Sequence, residues 1–302
     1  MNKHLYAALL LFAASLHPQA AQAALNVLAC EPEWESLVKE LGGDKVKVSS
    51  ATTALQDPHR IEARPSLIAR TRNADLLVCT GLELETGWLP ALIQQSGNAK
   101  IVAGQPGNFA AGSVVPRIDV PGKVDRSDGD VHASGNPHIQ LNPHNIALIA
   151  TALAKRLGEI DPSNAATYQA RHKDFSARWN GAMLKWEQQG APLRNVAVVE
   201  HHKNMEYLMG WLGMRQVGTL EAKPGVEPSA AHLGGLLAQL QRQPAKMVLR
   251  AAYQDGRASA WLAERARIPA VVLPFTVGAD DKSNDLFGLF DSTVQRLLEA
   301  NK

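Results

Sequence analysis

The sequence predicts an α/β protein of two similar lobes, each a parallel sheet flanked by helices, joined by a long linking helix. Three observations lead there. Short apolar runs alternate with helical periods in both the first and the last third of the chain. Between them lies a Gly-poor stretch with an aromatic stripe at helical spacing. The 302 residues, 45% of them hydrophobic, suffice for two cores of roughly 100–150 residues each.

The elements follow in order. Met1-Asn2-Lys3, the apolar run from Leu5 to Leu16 and Ala21-Gln22-Ala23 make residues 1–23 a secretory signal peptide cut before Ala24. Its apolar run is too short for a bilayer span, and no later stretch approaches one. The mature chain is therefore expected in the periplasm. Residues 24–144 form the first lobe: a strand at Leu25 to Ala29, a helix from Trp34 to Leu41 closed by Gly42-Gly43, and a strand at Lys45 to Ser49. A helix follows from Pro65 to Arg72, then a strand at Asp75 to Cys79. Gly107 to Gly135 has little periodicity and much Gly, Pro and Asp, so it reads as a mobile surface loop.

Residues 145–190 form the linking region. Asp161-Pro162 reads as a helix N-cap with a first-turn proline, and Tyr168, Phe175, Trp179 and Trp186 give the following helix one apolar face. That stripe reads as packing rather than a binding surface. In residues 191–302 the alternation resumes, with strands at Val196 to Val199, Lys246 to Leu249 and Ala270 to Leu273. The helices there run from Ser229 to Gln241, Ala258 to Arg267 and Leu286 to Ala300. Such strand–helix alternation implies parallel pairing with crossovers, and ligands then bind at the carboxyl ends of the strands.

Charge narrows the function. Without residues 1–23 the 31 basic side chains fall to 30 against 29 acidic ones, so net charge is about +1, with no basic block. Nucleic acid is excluded as a partner. The two cysteines, Cys30 and Cys79, each end a short apolar run. In an oxidising compartment they have the option of one disulfide, but spacing alone does not decide it.

Three histidines carry the chemistry: Asp57-Pro58-His59-Arg60, Asn136-Pro137-His138-Ile139 and Glu200-His201-His202-Lys203. Prolines 58 and 137 fix the backbone next to His59 and His138 and so give each ring a defined exit direction. Imidazoles from distant segments suit a transition-metal site that only the folded chain assembles.

At these residues the chain resembles the metal-binding solute-binding proteins of bacterial ABC importers, of the ZnuA/TroA type. Asp57-Pro58-His59 with Pro65-Ser66 matches one family motif, and Ala74-Asp75-Leu76 through Gly81-Leu82-Glu83-Leu84-Glu85 and Trp88 matches the next strand and loop. Asn136-Pro137-His138-Ile139 with Leu141-Asn142-Pro143 matches a second ligand motif, where the family usually has Asp-Pro-His. The resemblance implies two lobes joined by one long rigid helix. It also selects His202 over His201, because Tyr207 and Gly213 follow His202 at the family's spacing. His201 is then a supporting residue.

The resemblance breaks near the C-terminus, where Phe275 stands at the position of a family aspartate. Asp280 or Asp281 is the candidate fourth ligand, with water as the alternative. Glu227-Pro228-Ser229 reads as a helix entrance. The loop residues Asp119, Asp125, Asp128, Asp130 and His132 read as a solvated connection, a poor version of the family's His-rich loops. What the resemblance implies is capture of Zn²⁺ as cargo at His59, His138 and His202 and its delivery to an inner-membrane ABC permease. It leaves room for a metallochaperone that loads a monomeric protein. Alternatives are a periplasmic zinc buffer, a binder of Mn²⁺ or another divalent metal, and, from another class, a secreted zinc hydrolase. Against the hydrolase stand the missing H-E-x-x-H motif and the lack of a recognisable nucleophile.

Overall fold

The computed structural model describes residues 23–125 and 129–302. The expected signal peptide lies almost wholly outside the described residues, as does Asp128. Among the described residues no helix is long and apolar enough to cross a membrane.

In the first lobe β1 (Leu25–Ala29) leads into α1 (Pro32–Gly42) and returns as β2 (Val46–Ser50); α2 (Pro65–Arg72) connects to β3 (Leu76–Cys79), and α3 (Leu89–Ser96) to β4 (Asn108–Ala110). All pairs are parallel, in the order β2-β1-β3-β4. The second lobe repeats this plan with β5 (Ala197–Glu200), α6 (Glu206–Leu212), β6 (Arg215–Thr219), α7 (Ala230–Leu240), β7 (Met247–Ala251), α8 (Arg257–Ala266), β8 (Ala270–Leu273) and α9 (Leu286–Ala300). Its order is β6-β5-β7-β8, again all parallel. Central strands β1, β3, β5 and β7 are buried on both faces, which explains their near-continuous apolar sequence.

One expectation needs correction. The Gly107–Gly135 segment is not loop throughout, because it opens with the edge strand β4 and a 3₁₀ turn at Ala111–Val114. The expected long linking helix is α5 (Ala165–Gly190), which α4 (Pro143–Ile160) precedes through a turn at Asp161–Asn164. Asp161 stands at the N-cap of the 3₁₀ turn Pro162–Asn164 that runs into α5, with Pro162 in its first turn. Its carboxylate ties the turn, accepting hydrogen bonds from Ser163 Oγ, Asn164 Nδ2 and Tyr168 OH, each at 2.7 Å.

The 26-residue α5 packs on α4 and α1 on one side and on α9 on the other. Its stripe Tyr168, Phe175, Trp179 and Trp186 is fully buried. The main apolar core is continuous through it, joining Val27 and Trp34 of the first lobe to Leu249 and Phe290 of the second. Cys30, just past the end of β1, and Cys79, the last residue of neighbouring β3, form a disulfide.

Candidate metal centre

The three sequence-predicted histidines meet where the strands of both lobes end. His59 lies in the connection after β2, His138 just before α4, and His202 two residues past β5. One ring nitrogen from each lies within 4.8 Å of the others. Ring centroids are 5.5 Å apart for His59–His138, 5.9 Å for His59–His202 and 5.5 Å for His138–His202.

Each ring is aimed by an acceptor behind it. His59 Nδ1 is 2.8 Å from Asp57 Oδ1, His138 Nδ1 2.9 Å from Asn136 Oδ1, and His202 Nδ1 2.7 Å from Glu221 Oε2. With Nδ1 carrying the proton, every Nε2 is left as an acceptor on the cleft side, the tautomer a metal needs. His138 Nε2 is buried and has no hydrogen-bond partner among the described residues. That is the mark of a donor set built for something else.

The backbone explains the precision. Asp57 Oδ1 and Asn136 Oδ1 also accept the amide hydrogens of His59 and His138, both at 3.0 Å, closing two tight turns around the prolines. Trp88 Nε1 donates to the Pro58 carbonyl at 2.8 Å, and Gly87 leaves room where a Cβ would come within 2.9 Å of the His59 carbonyl. Tyr207 OH donates to the Pro116 carbonyl at 3.1 Å, and Gly213 ends α6 with a left-handed φ of 67°.

Electrostatics keep the His138 ring neutral. Burial, reinforced by the neighbouring His59 and His202, holds the His138 imidazole well below the usual histidine range. Burial also pushes the Asp57 carboxyl up, but hydrogen bonds from the His59 ring and amide outweigh it and hold Asp57 below its usual value.

His201 stands behind the cluster: its Nε2 is 3.7 Å from Glu221 Oε1, and its Nδ1 is buried without a partner among the described residues. Asp280 and Asp281 do not join the cluster. Asp280 pairs with Arg296 at 2.6 Å and accepts the amides of Lys282 and Ser283, so it holds the turn before α9, while Asp281 is exposed. At the position of the expected aspartate, Phe275 takes a left-handed φ of 63° and sets its ring 6.0 Å from that of His138. A second cluster, Cys30, Cys79 and Glu85, offers no thiolate because its sulfurs are bonded to each other.

Sequence reasoning missed two residues at the site. Glu221 follows β6, an edge strand without an apolar run, so nothing announced it. His132 comes from the segment read as a solvated connection, yet its Nε2 is 3.4 Å from His59 Nε2. Burial and nearby His59 push its pKa down to about 4.

Among curated relatives, the manganese ABC transporter substrate-binding lipoprotein ScaA of Streptococcus gordonii is 32% identical over 154 residues, 50% of this chain and 46% of that protein. The iron ABC transporter substrate-binding lipoprotein MtsA of Streptococcus pyogenes serotype M1 is 29% identical over 157 residues, 51% and 47% respectively. The chain thus spans about half the length of the curated relatives it matches. Among solved structures, ZnuA superposes with a TM-score of 0.74 at 23% identity, covering 92% of this chain and 100% of that one. A zinc-bound deletion mutant of ZnuA gives 0.75 at 24% identity, covering 92% and 98%. These likenesses show the fold. A family model described as the periplasmic zinc-uptake complex component A matches residues 27–300, and the chain belongs to that family, whose members are substrate-binding components of metal transport and not enzymes.

Proposed function

We propose that this protein captures Zn²⁺ in the periplasm, after removal of an N-terminal signal peptide, and delivers it as a monomer to the inner-membrane permease of an ABC importer. The observation that carries the reading is the set of three imidazoles converging within 4.8 Å, each with Nδ1 held by an acceptor. His59 and His138 bind from the first lobe and His202 from the second, so the ion bridges the cleft. Three neutral nitrogen donors with no carboxylate among them suit tetrahedral zinc, whereas Mn²⁺ prefers oxygen-rich sites. A manganese or iron cargo is the second reading, favoured by the names of the relatives ScaA and MtsA. Raw affinity would rank Cu²⁺ above zinc, so selectivity rests on geometry and supply.

Calorimetry and native mass spectrometry on the mature, metal-stripped chain test this. One Zn²⁺ per chain is expected, retained against excess Mn²⁺, with binding lost in His59→Ala, His138→Ala and His202→Ala but kept in the helix-surface control His172→Ala. Preference for Mn²⁺ would instead establish the second reading.

A further inference from the structure

Three imidazoles leave one corner of a zinc tetrahedron open, and a further imidazole stands beside them. Four of the carboxylates near the rings are committed. Asp57 and Glu221 hold ring nitrogens, Asp119 pairs with Lys203 at 3.2 Å, and Asp130 faces Arg60 at 3.7 Å. Phe275 fills the place of the family carboxylate with a hydrocarbon ring.

His132 is different. Its Nε2 sits 3.4 Å from His59 Nε2, and its ring centroid lies 5.4 Å from that of His59 and 6.2 Å from that of His138. Two nitrogens bound to one tetrahedral zinc at about 2.0–2.1 Å are separated by about 3.3 Å. The pair has the spacing of two ligands sharing an ion, while His132 stands outside the trio whose ring nitrogens all lie within 4.8 Å of one another, so its ring must swing inward to complete the shell. We infer that His132 is the fourth ligand, which makes this a four-imidazole site; the inference rests on the three-histidine reading above.

Residues 129–135 form a strap fixed to both sides of the cleft. On the first lobe, Glu83 in the loop after β3 accepts hydrogen bonds from the Ala133 amide at 2.7 Å and from Ser134 Oγ at 3.1 Å. On the second, the Asp130 amide donates to the Pro224 carbonyl at 2.8 Å. Gly129 is required beside that contact, since a Cβ there would come within 2.2 Å of the same carbonyl oxygen. His132 lies between these two anchors, so the strap presents its ring to the cleft and covers it.

Four neutral donors leave the bound ion its full double charge. The compensating carboxylates stand one layer out, in Asp57 behind His59 and Glu221 behind His202. Hydrogen bonding to such carboxylates raises the basicity of the ligating nitrogens. The strap's anchors are solvent-accessible hydrogen bonds and not core packing, so the fourth ligand can leave without disturbing the other three. Delivery to a membrane partner then begins by peeling the strap from Glu83.

X-ray absorption at the zinc edge, on the mature chain loaded with one equivalent of Zn²⁺, counts the imidazoles directly. Four are expected in the parent and three plus a lighter oxygen donor in His132→Ala, with zinc affinity of that variant lower by about tenfold or more, or 1.4 kcal/mol per factor of ten. Glu83→Gln, which weakens the anchor and keeps the ring, should retain four imidazoles and speed zinc release to a chelator. The same three-imidazole spectrum in parent and His132→Ala, with equal affinities, would overturn the inference. Failure of the underlying three-histidine reading looks different: His59→Ala and His138→Ala would then keep parental zinc affinity, whatever His132→Ala does.

Discussion

Asn136 occupies a position where the family usually carries aspartate, and its surroundings explain the exchange. Its Oδ1 orients His138, while its Nδ2 donates toward Asp119 Oδ2 at 3.4 Å, the Lys203 carbonyl at 3.3 Å and Glu206 Oε2 at 3.3 Å. An aspartate here would keep the first role and set a third negative charge against Asp119 and Glu206. Asn136→Asp is therefore expected to lower the stability of the metal-free protein by about 1–3 kcal/mol for the lost buried donor. The loss should be largest at neutral pH and shrink towards pH 4, where carboxylates begin to protonate; thermal melts across that range check it. Asn136→Ala removes the orienting oxygen as well, and zinc affinity should fall about 10- to 100-fold. At this scale the sequence was informative where a proline fixed the backbone, as at His59 and His138. It was silent at His132 and Glu221, whose roles arise from contacts 73 and 19 residues away along the chain.

The linking helix shows why some elements were legible. Its aromatic spacing survives in the sequence because one face does all the packing: Trp179 lies 5.2 Å from Phe175, 5.1 Å from Trp186 and 4.9 Å from Phe287 by ring centroids. Its indole N–H also donates to the Pro143 carbonyl at 2.9 Å. Trp179→Ala should cost about 3–5 kcal/mol by denaturant unfolding, with zinc affinity of the folded protein unchanged because the site lies elsewhere. The edge strands β4 and β6 were not legible. β4 has only three residues, and β6 alternates poorly because its two polar leading residues face solvent. The two cysteines were visible as strand ends, but whether those strands are neighbours is a matter of sheet order, which periodicity does not encode.

At the scale of the whole molecule, the lobes touch through polar contacts near the cleft as well as through the linking helices. The Thr276 hydroxyl, just past β8, donates to Glu33 Oε2 on α1, and Gln140 Nε2 donates to the Phe275 carbonyl at 3.3 Å. Burial pushes the Glu33 carboxyl up to about 7 from 4.5. The folded protein therefore binds this proton more tightly than the unfolded chain does. The stabilisation is fully present below about pH 4.5 and is lost as pH rises through about 7. Glu33→Gln, which cannot ionise, should raise stability relative to the parent at pH 8, on the order of 1–3 kcal/mol, with the advantage vanishing near pH 4.5. A pH-independent difference in thermal midpoint would reject that account.

One apolar core runs from Val27 through α4 and α5 to Leu249 and Phe290. Its consequence concerns inheritance and engineering. A gene cut at the end of the first lobe would leave the hydrocarbon that α4 and α5 normally cover facing water on both products, so neither half would persist as a separate soluble unit. Calorimetry should accordingly record a single melting transition, and a protease should yield either the intact chain or small peptides. The two sheets repeat one strand–helix plan around a shared core, so a chimera that swaps a lobe must carry the matching face of the helix pair with it.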